Sequence, residues 1–89
     1  MLNLFQVSGV SMLPSYKPRQ YILSYASTNI KKDDVVVFRD KNNEKFIKRV
    51  SWVDDKKFKV QSDNTNYPST TLDKELLTKD IIGKVIFKF

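Results

Sequence analysis

Lys45-Phe46-Ile47-Lys48-Arg49-Val50-Ser51-Trp52-Val53, then Asp54-Asp55-Lys56, then Lys57-Phe58-Lys59-Val60-Gln61 is the stretch that decides the fold. Both long runs alternate in character and are rich in β-branched and aromatic residues, and only three polar residues separate them. They predict two antiparallel strands joined as a hairpin. Working outward, Tyr21 to Tyr25 and Val35 to Arg39 show the same enrichment between polar segments and predict two more strands. Ile81 to Phe89 predicts a last strand, in which Gly83 marks a bulge or a bend where the sheet curls. Helix is scarce. Ser11-Met12-Leu13-Pro14 is expected to open a single helical turn, and Thr71 to Leu77 another. The fold class is therefore mostly β: a small, curled antiparallel β-sheet domain with one or two short helical turns. No repeat, low-complexity run or linker interrupts it, so residues 1–89 read as a single domain.

Hydrophobic residues make up 40% of the chain and charged residues 29%, with two Gly and three Pro, the composition of a folded protein rather than a disordered one. The absence of His and Cys excludes His-based triads, thiol nucleophiles, His or Cys metal sites and disulfides. Any nucleophile is a Ser, Thr, Lys, Tyr or carboxylate, and no metal or small-molecule cofactor is called for. The longest uncharged stretch, Met1 to Tyr16, holds too many polar residues and is too short for the ~20 apolar residues of a membrane span. No basic residue precedes Lys17 to begin a secretory signal, so the expected location is cytoplasmic. The formal net charge is +6, but the basic residues between Lys31 and Lys59 are interleaved with acidic ones. The first thirty residues carry only Lys17 and Arg19.

Two-residue alternation puts Phe46, Lys48, Val50 and Trp52 on one face of their strand, so Lys48 falls in the more apolar row. A Lys held there loses hydration of its ammonium, its pKa falls, and it becomes able to serve as a general base. The alternative is a Lys that packs its methylenes on the aromatics and keeps its charge wet. A base needs a nucleophile, and eight Ser in the chain make a bare Ser-Lys pairing uninformative. Context singles out Ser11: Gly9 allows a tight backbone approach before it, and Pro14 fixes the turn after it. A Ser in an ordinary surface turn is the competing reading.

Gly9-Val10-Ser11-Met12-Leu13-Pro14, Asp34-Val35-Val36-Val37-Phe38, Phe46-Ile47-Lys48-Arg49-Val50, Ser62-Asp63-Asn64 and Ile81-Ile82-Gly83-Lys84-Val85, in that order, resemble the superfamily of signal peptidases and LexA-like self-cleaving peptidases. The resemblance spans nearly the whole chain. It implies that Ser11 is the nucleophile and Lys48 its general base, that the peptide bond is cleaved through an acyl-enzyme, and that the backbone N–H groups of Val10 and Ser11 hold the oxyanion. It further implies that Gly9 and Met12 line the substrate side, with small residues before the cut, and that Ser69 orients the Lys. Asp63 is a candidate partner for Arg49, bracing the base strand against a loop, unless both are ordinary exposed charges.

The resemblance is not uniform. Where the superfamily carries Gly-Asp turns, this chain has Arg19-Gln20 and Asp33-Asp34, which questions two turns that call for positive φ. Thr71-Leu72-Asp73-Lys74 blurs a family ion pair, and Ser62-Asp63-Asn64-Thr65-Asn66-Tyr67-Pro68 looks instead like phage-repressor peptidase domains. Only ten residues precede Ser11, so self-cleavage of an internal segment is not expected. The length best fits anchor-free members resembling the nickel superoxide dismutase maturation peptidase, with a precursor protein or peptide as partner. Three alternatives stay open. One is a LexA-like or phage-repressor-like regulatory peptidase domain, and one is a catalytically silent interaction domain. The third is a basic β module binding nucleic acid through Lys31, Lys32, Lys45, Arg49, Lys56, Lys57 and Lys59 around Phe38, Trp52 and Phe58, which the interspersed acidic residues disfavour.

Overall fold

The structure is a computed structural model that describes residues 1–64, 66 and 75–89. Its elements are β1 (Leu2–Gln6), β2 (Tyr21–Tyr25), β3 (Val35–Arg39), β4 (Lys45–Val53), β5 (Lys57–Gln61), β6 (Leu76–Leu77), one 3-10 turn at Thr78–Asp80, and β7 (Ile81–Lys88). They form one sheet in the order β1-β2-β7-β3-β4-β5-β6, with every neighbouring pair antiparallel. The expected mostly β, curled antiparallel fold is what the chain adopts. Among the described residues no helix is long and apolar enough to cross a membrane.

β3 explains why the sheet has a core on both faces. Its Val35-Val36-Val37-Phe38 run has no polar alternation, and all four residues are buried. Val36 and Phe38 join Ile30, Val50, Phe58, Val60 and Ile81 in one cluster, whereas Val37 points the other way to Val7 and Ile22. Two aromatics of the nucleic-acid alternative, Phe38 and Phe58, are thus core residues, packed edge to face with ring centres 5.5 Å apart.

Bulges do the curling. Val37 pairs with Gly83 but Phe38 with Ile81, leaving Ile82 as the extra residue beside the Gly where a bend was expected. A Cβ at position 83 would sit 2.9 Å from the Tyr25 carbonyl oxygen and 3.0 Å from Ser24 Oγ, so only Gly lets β7 approach β2 this closely. A second bulge corrects the alternation in β4. Val50 pairs with Val60 and Trp52 with Lys59, so Ser51 is extra and the faces exchange beyond it. Val53, not Trp52, then packs beside Phe58 on the core. Trp52 is 41% exposed, with the Lys59 ammonium 5.8 Å from its ring centre. It does not share a covered row with Lys48.

Of the two helical turns expected from the sequence, the first is a run of hydrogen-bonded turns rather than a helix, and the described end of the second, Leu76–Leu77, is strand. At Ser11-Met12-Leu13-Pro14 the chain makes hydrogen-bonded turns, with Leu13 N–H donating to Val10 O (3.2 Å) and Tyr16 N–H to Met12 O (2.9 Å). Pro14 lacks an N–H and disfavours the α conformation at Leu13, so no ladder builds. Leu76 and Leu77 pair with Phe58 and Lys57 as β6, because Leu76 gains a place against the core. Residues 71–74 lie outside the described residues. Arg19 (φ 70°) and Asp33 (φ 78°) adopt the positive φ that their turns call for, despite the lack of Gly.

Candidate active site

The loop after β1 and the segment after β5 meet at the middle of β4. β1 and β2 continue pairing past their ends, since Val7 N–H donates to Gln20 O and Arg19 N–H to Val7 O, both at 2.8 Å. The residues between form a loop closed at its base. Gly9, at φ +82°, turns the loop where an L side chain would be strained, and Met12, 1% exposed, anchors it in the interior. Ser11 lies between these two fixed points. The segment after β5 clamps the same turn: Asn64 N–H donates to Ser11 O, and Asn64 Nδ2 donates to Val10 O, both at 2.9 Å.

Lys48, from β4, reaches this turn. Its Nζ is 2.7 Å from Ser11 Oγ and 3.0 Å from Ser62 Oγ, and the residue is only 7% exposed. Desolvation by burial holds its pKa below the ordinary Lys value. Asp63 receives Arg49 Nε and Nη2, each at 2.8 Å, while Arg49 Nη1 donates to Asp33 O at 2.8 Å. This fork ties β4 to the segment after β5. The hydrogen bonds from Arg49 hold the Asp63 carboxyl below the usual carboxylate range, and the Asp63 carboxylate raises Arg49 in turn.

Ser11 and Lys48 are in contact, and Asp63 and Arg49 form the braced pair rather than two free charges. Among the described residues, no group accepts a hydrogen bond from the Val10 or Ser11 amide. Ser69 lies outside the described residues. A cavity of about 160 Å³ beside the pair is lined by Phe5, Val7, Ile22, Val37, Phe46 and Ile47, among others, with Ser11 and Lys48 in its wall. Gly9 and Met12 are not among its lining residues. Met12 turns inward because it is the loop's apolar anchor, and among the described residues nothing lies within 4 Å of where a Cβ on Gly9 would be. Ser62 and Asn64 stand in the Ser62-Asp63-Asn64 box, but the sequence reading gives a role only to Asp63. Their signal was position: they lie one and three residues after β5, which ends opposite Arg49 in β4. Among the described residues no group of three or more acidic side chains could hold a metal ion.

Among the described residues, no strand pairs with one edge of β4 beside this cavity. β5 pairs with β4 only from Arg49 onward. Val50 exchanges both its backbone bonds with Asp33 and Asp34, before β3, so the residues of its parity turn their backbone groups toward β3. Lys45 and Ile47, of opposite parity, present theirs to the open side.

The Arg49–Asp63 fork yields a prediction for stability. Asp63 is 11% exposed, and Asp63→Asn should cost on the order of 1–3 kcal/mol at neutral pH. A carboxyl whose folded pKa is depressed stabilises above its unfolded value, and that contribution is lost as pH falls through the folded pKa. The Tm values of wild type and Asp63→Asn should therefore converge in acid. Parallel Tm curves down to pH 2 would show that the fork contributes no charge-dependent stability.

A family model described as Peptidase S24-like matches residues 2–86 of the chain. No curated protein matches it.

Proposed function

The chain belongs to the Peptidase S24-like family, and on that footing we propose that it is a serine endopeptidase that cleaves a precursor protein or peptide with a Ser11–Lys48 dyad. The observation that carries the reading is the 2.7 Å contact between Lys48 Nζ and Ser11 Oγ, made by a Lys almost wholly removed from water.

Neutral Lys48 accepts the Ser11 hydroxyl proton as Oγ attacks the carbonyl carbon of the scissile bond. The backbone amides of Val10 and Ser11 are suited to hold the resulting oxyanion, having no acceptor among the described residues. Collapse breaks the C–N bond, and the Lys48 ammonium returns its proton to the leaving amine. The new N-terminus departs, leaving an ester on Ser11. Water then gives a proton to Lys48 and attacks the ester carbonyl, and as the acyl C–O bond breaks the Lys48 ammonium returns that proton to Ser11 Oγ, which releases the carboxylic acid and restores Ser11 and neutral Lys48. Ser62 Oγ holds the Nζ in line, and Asn64 and the Arg49–Asp63 fork position the two backbones.

Substrate lies extended along the open edge of β4, where Lys45 and Ile47 offer backbone partners and the apolar cavity receives a side chain. The test is incubation with a diverse peptide library and mass analysis of the products. Wild type should generate new termini at a restricted set of bonds and Ser11→Ala none. Equal cleavage by both proteins, or no cleavage by either, would refute the proposal.

A further inference from the structure

Arg39 and Lys45 stand directly opposite each other on β3 and β4. Cross-strand partners project to the same face, and two-residue alternation puts this pair on the face of Val37 and Ile47, which line the cavity beside Ser11 and Lys48. Like charges in this position destabilise a strand pair. Arg49, Lys57 and Lys84 are each in an ion pair, with Asp63, Glu75 and Asp34, whereas among the described residues neither Arg39 nor Lys45 is. Lys45 itself lines the cavity, with its ammonium 5.5 Å from the centre of the Phe5 ring across the cleft. A cation in the wall of a partly apolar cavity, with a second one opposite it on the neighbouring strand, matches an anion carried on an otherwise apolar chain.

We propose that Arg39 and Lys45 are specificity-determining residues that bind an acidic side chain of the peptide substrate. This rests on the peptidase reading above and adds the substrate class: an extended segment with an apolar side chain for the cavity and an Asp or Glu at its far end. The spacing follows from the strand. Lys45 is three residues from Lys48, or about 10 Å along β4, so the acidic residue lies about three residues from the scissile bond on the flank that pairs with β4.

The experiment separates recognition from turnover by using the full chain carrying Ser11→Ala. The probes are fluorophore-labelled, alanine-rich dodecapeptides with one Leu, in which a single Glu, Gln or Lys is moved stepwise away from the Leu. Anisotropy titrations should find one register at which Glu binds roughly 3–10-fold tighter than Gln and Lys binds more weakly, with the preference shrinking at high salt. Adding Lys45→Glu should invert the order at that register, and Arg39→Gln with Lys45→Gln should abolish it. Both positions are exposed, and circular dichroism checks that the variants remain folded. Absence of binding, absence of a Glu-preferring register, or a preference that survives Lys45→Glu would overturn the proposal. Wild-type cleavage of the same peptides without a Glu preference would overturn recognition alone. Selective binding of the Glu peptide without wild-type cleavage would instead count against the peptidase reading and leave recognition standing.

Discussion

Ser11→Ala and Lys48→Met each lower kcat/KM by about 10³-fold or more, and the double variant is no slower than the worse of the two. Each substitution removes one half of a single proton-transfer pair separated by 2.7 Å, so the second loss finds nothing left to remove. Losses that multiply would show that the residues act separately. Folding should survive both changes. Ser11 sits in a turn held by Gly9, Met12 and Asn64, contacts that Ser11→Ala leaves in place. Lys48→Met keeps the length of the side chain and removes a charge from a site that is 7% exposed. At neutral pH its Tm should equal or exceed that of wild type. A large fall in Tm would mean that the ammonium is a structural element.

The rate rises with pH along a single limb, about tenfold per pH unit at low pH, with a midpoint below the ordinary Lys value of 10.5. A free Lys would be neutral in fewer than about one molecule in a thousand at pH 7, so burial of Lys48 is what makes the base available. Stability carries the same information with its own sign. Because the folded pKa is lowered, the unfolded chain binds more protons between the folded value and 10.5, and wild-type stability rises with pH across that window. The Tm advantage of Lys48→Met should therefore narrow as pH approaches 10.5. A rate limb centred at 10.5 together with a constant Tm difference would show that Lys48 is solvated and is not the base.

Much of this was legible in the sequence because several strands carry their signal locally. β2, β3, β4 and β5 have the bounds that their β-branched and aromatic runs announce. β1 was missed because its polarity is reversed: Leu2 and Leu4 face outward while Asn3 and Phe5 turn inward, so alternation did not mark a buried face. β6, two residues long, pairs only through tertiary contact. Trp52 was assigned to the row of Lys48 because a bulge at Ser51 leaves no trace in composition. Lys48 itself stood out as a charge in an apolar row, but periodicity along one strand cannot say what meets it. Its contact with Ser11 depends on a loop 37 residues away in the chain, which only the order of the motif boxes suggested. Ser62 remained unseen as a partner of Lys48 because its role depends on where β5 ends.

The central claim, that Ser11 becomes acylated with Lys48 as base, is tested most directly by mass spectrometry of the protein reacted with a peptidyl activated ester, which acylates faster than the ester hydrolyses. The account predicts one acyl adduct on wild type, mapped by fragmentation to Ser11, that forms faster as pH rises and is absent from Ser11→Ala and Lys48→Met. An adduct on another residue, or one that forms on Ser11 at the same rate in Lys48→Met, would contradict it.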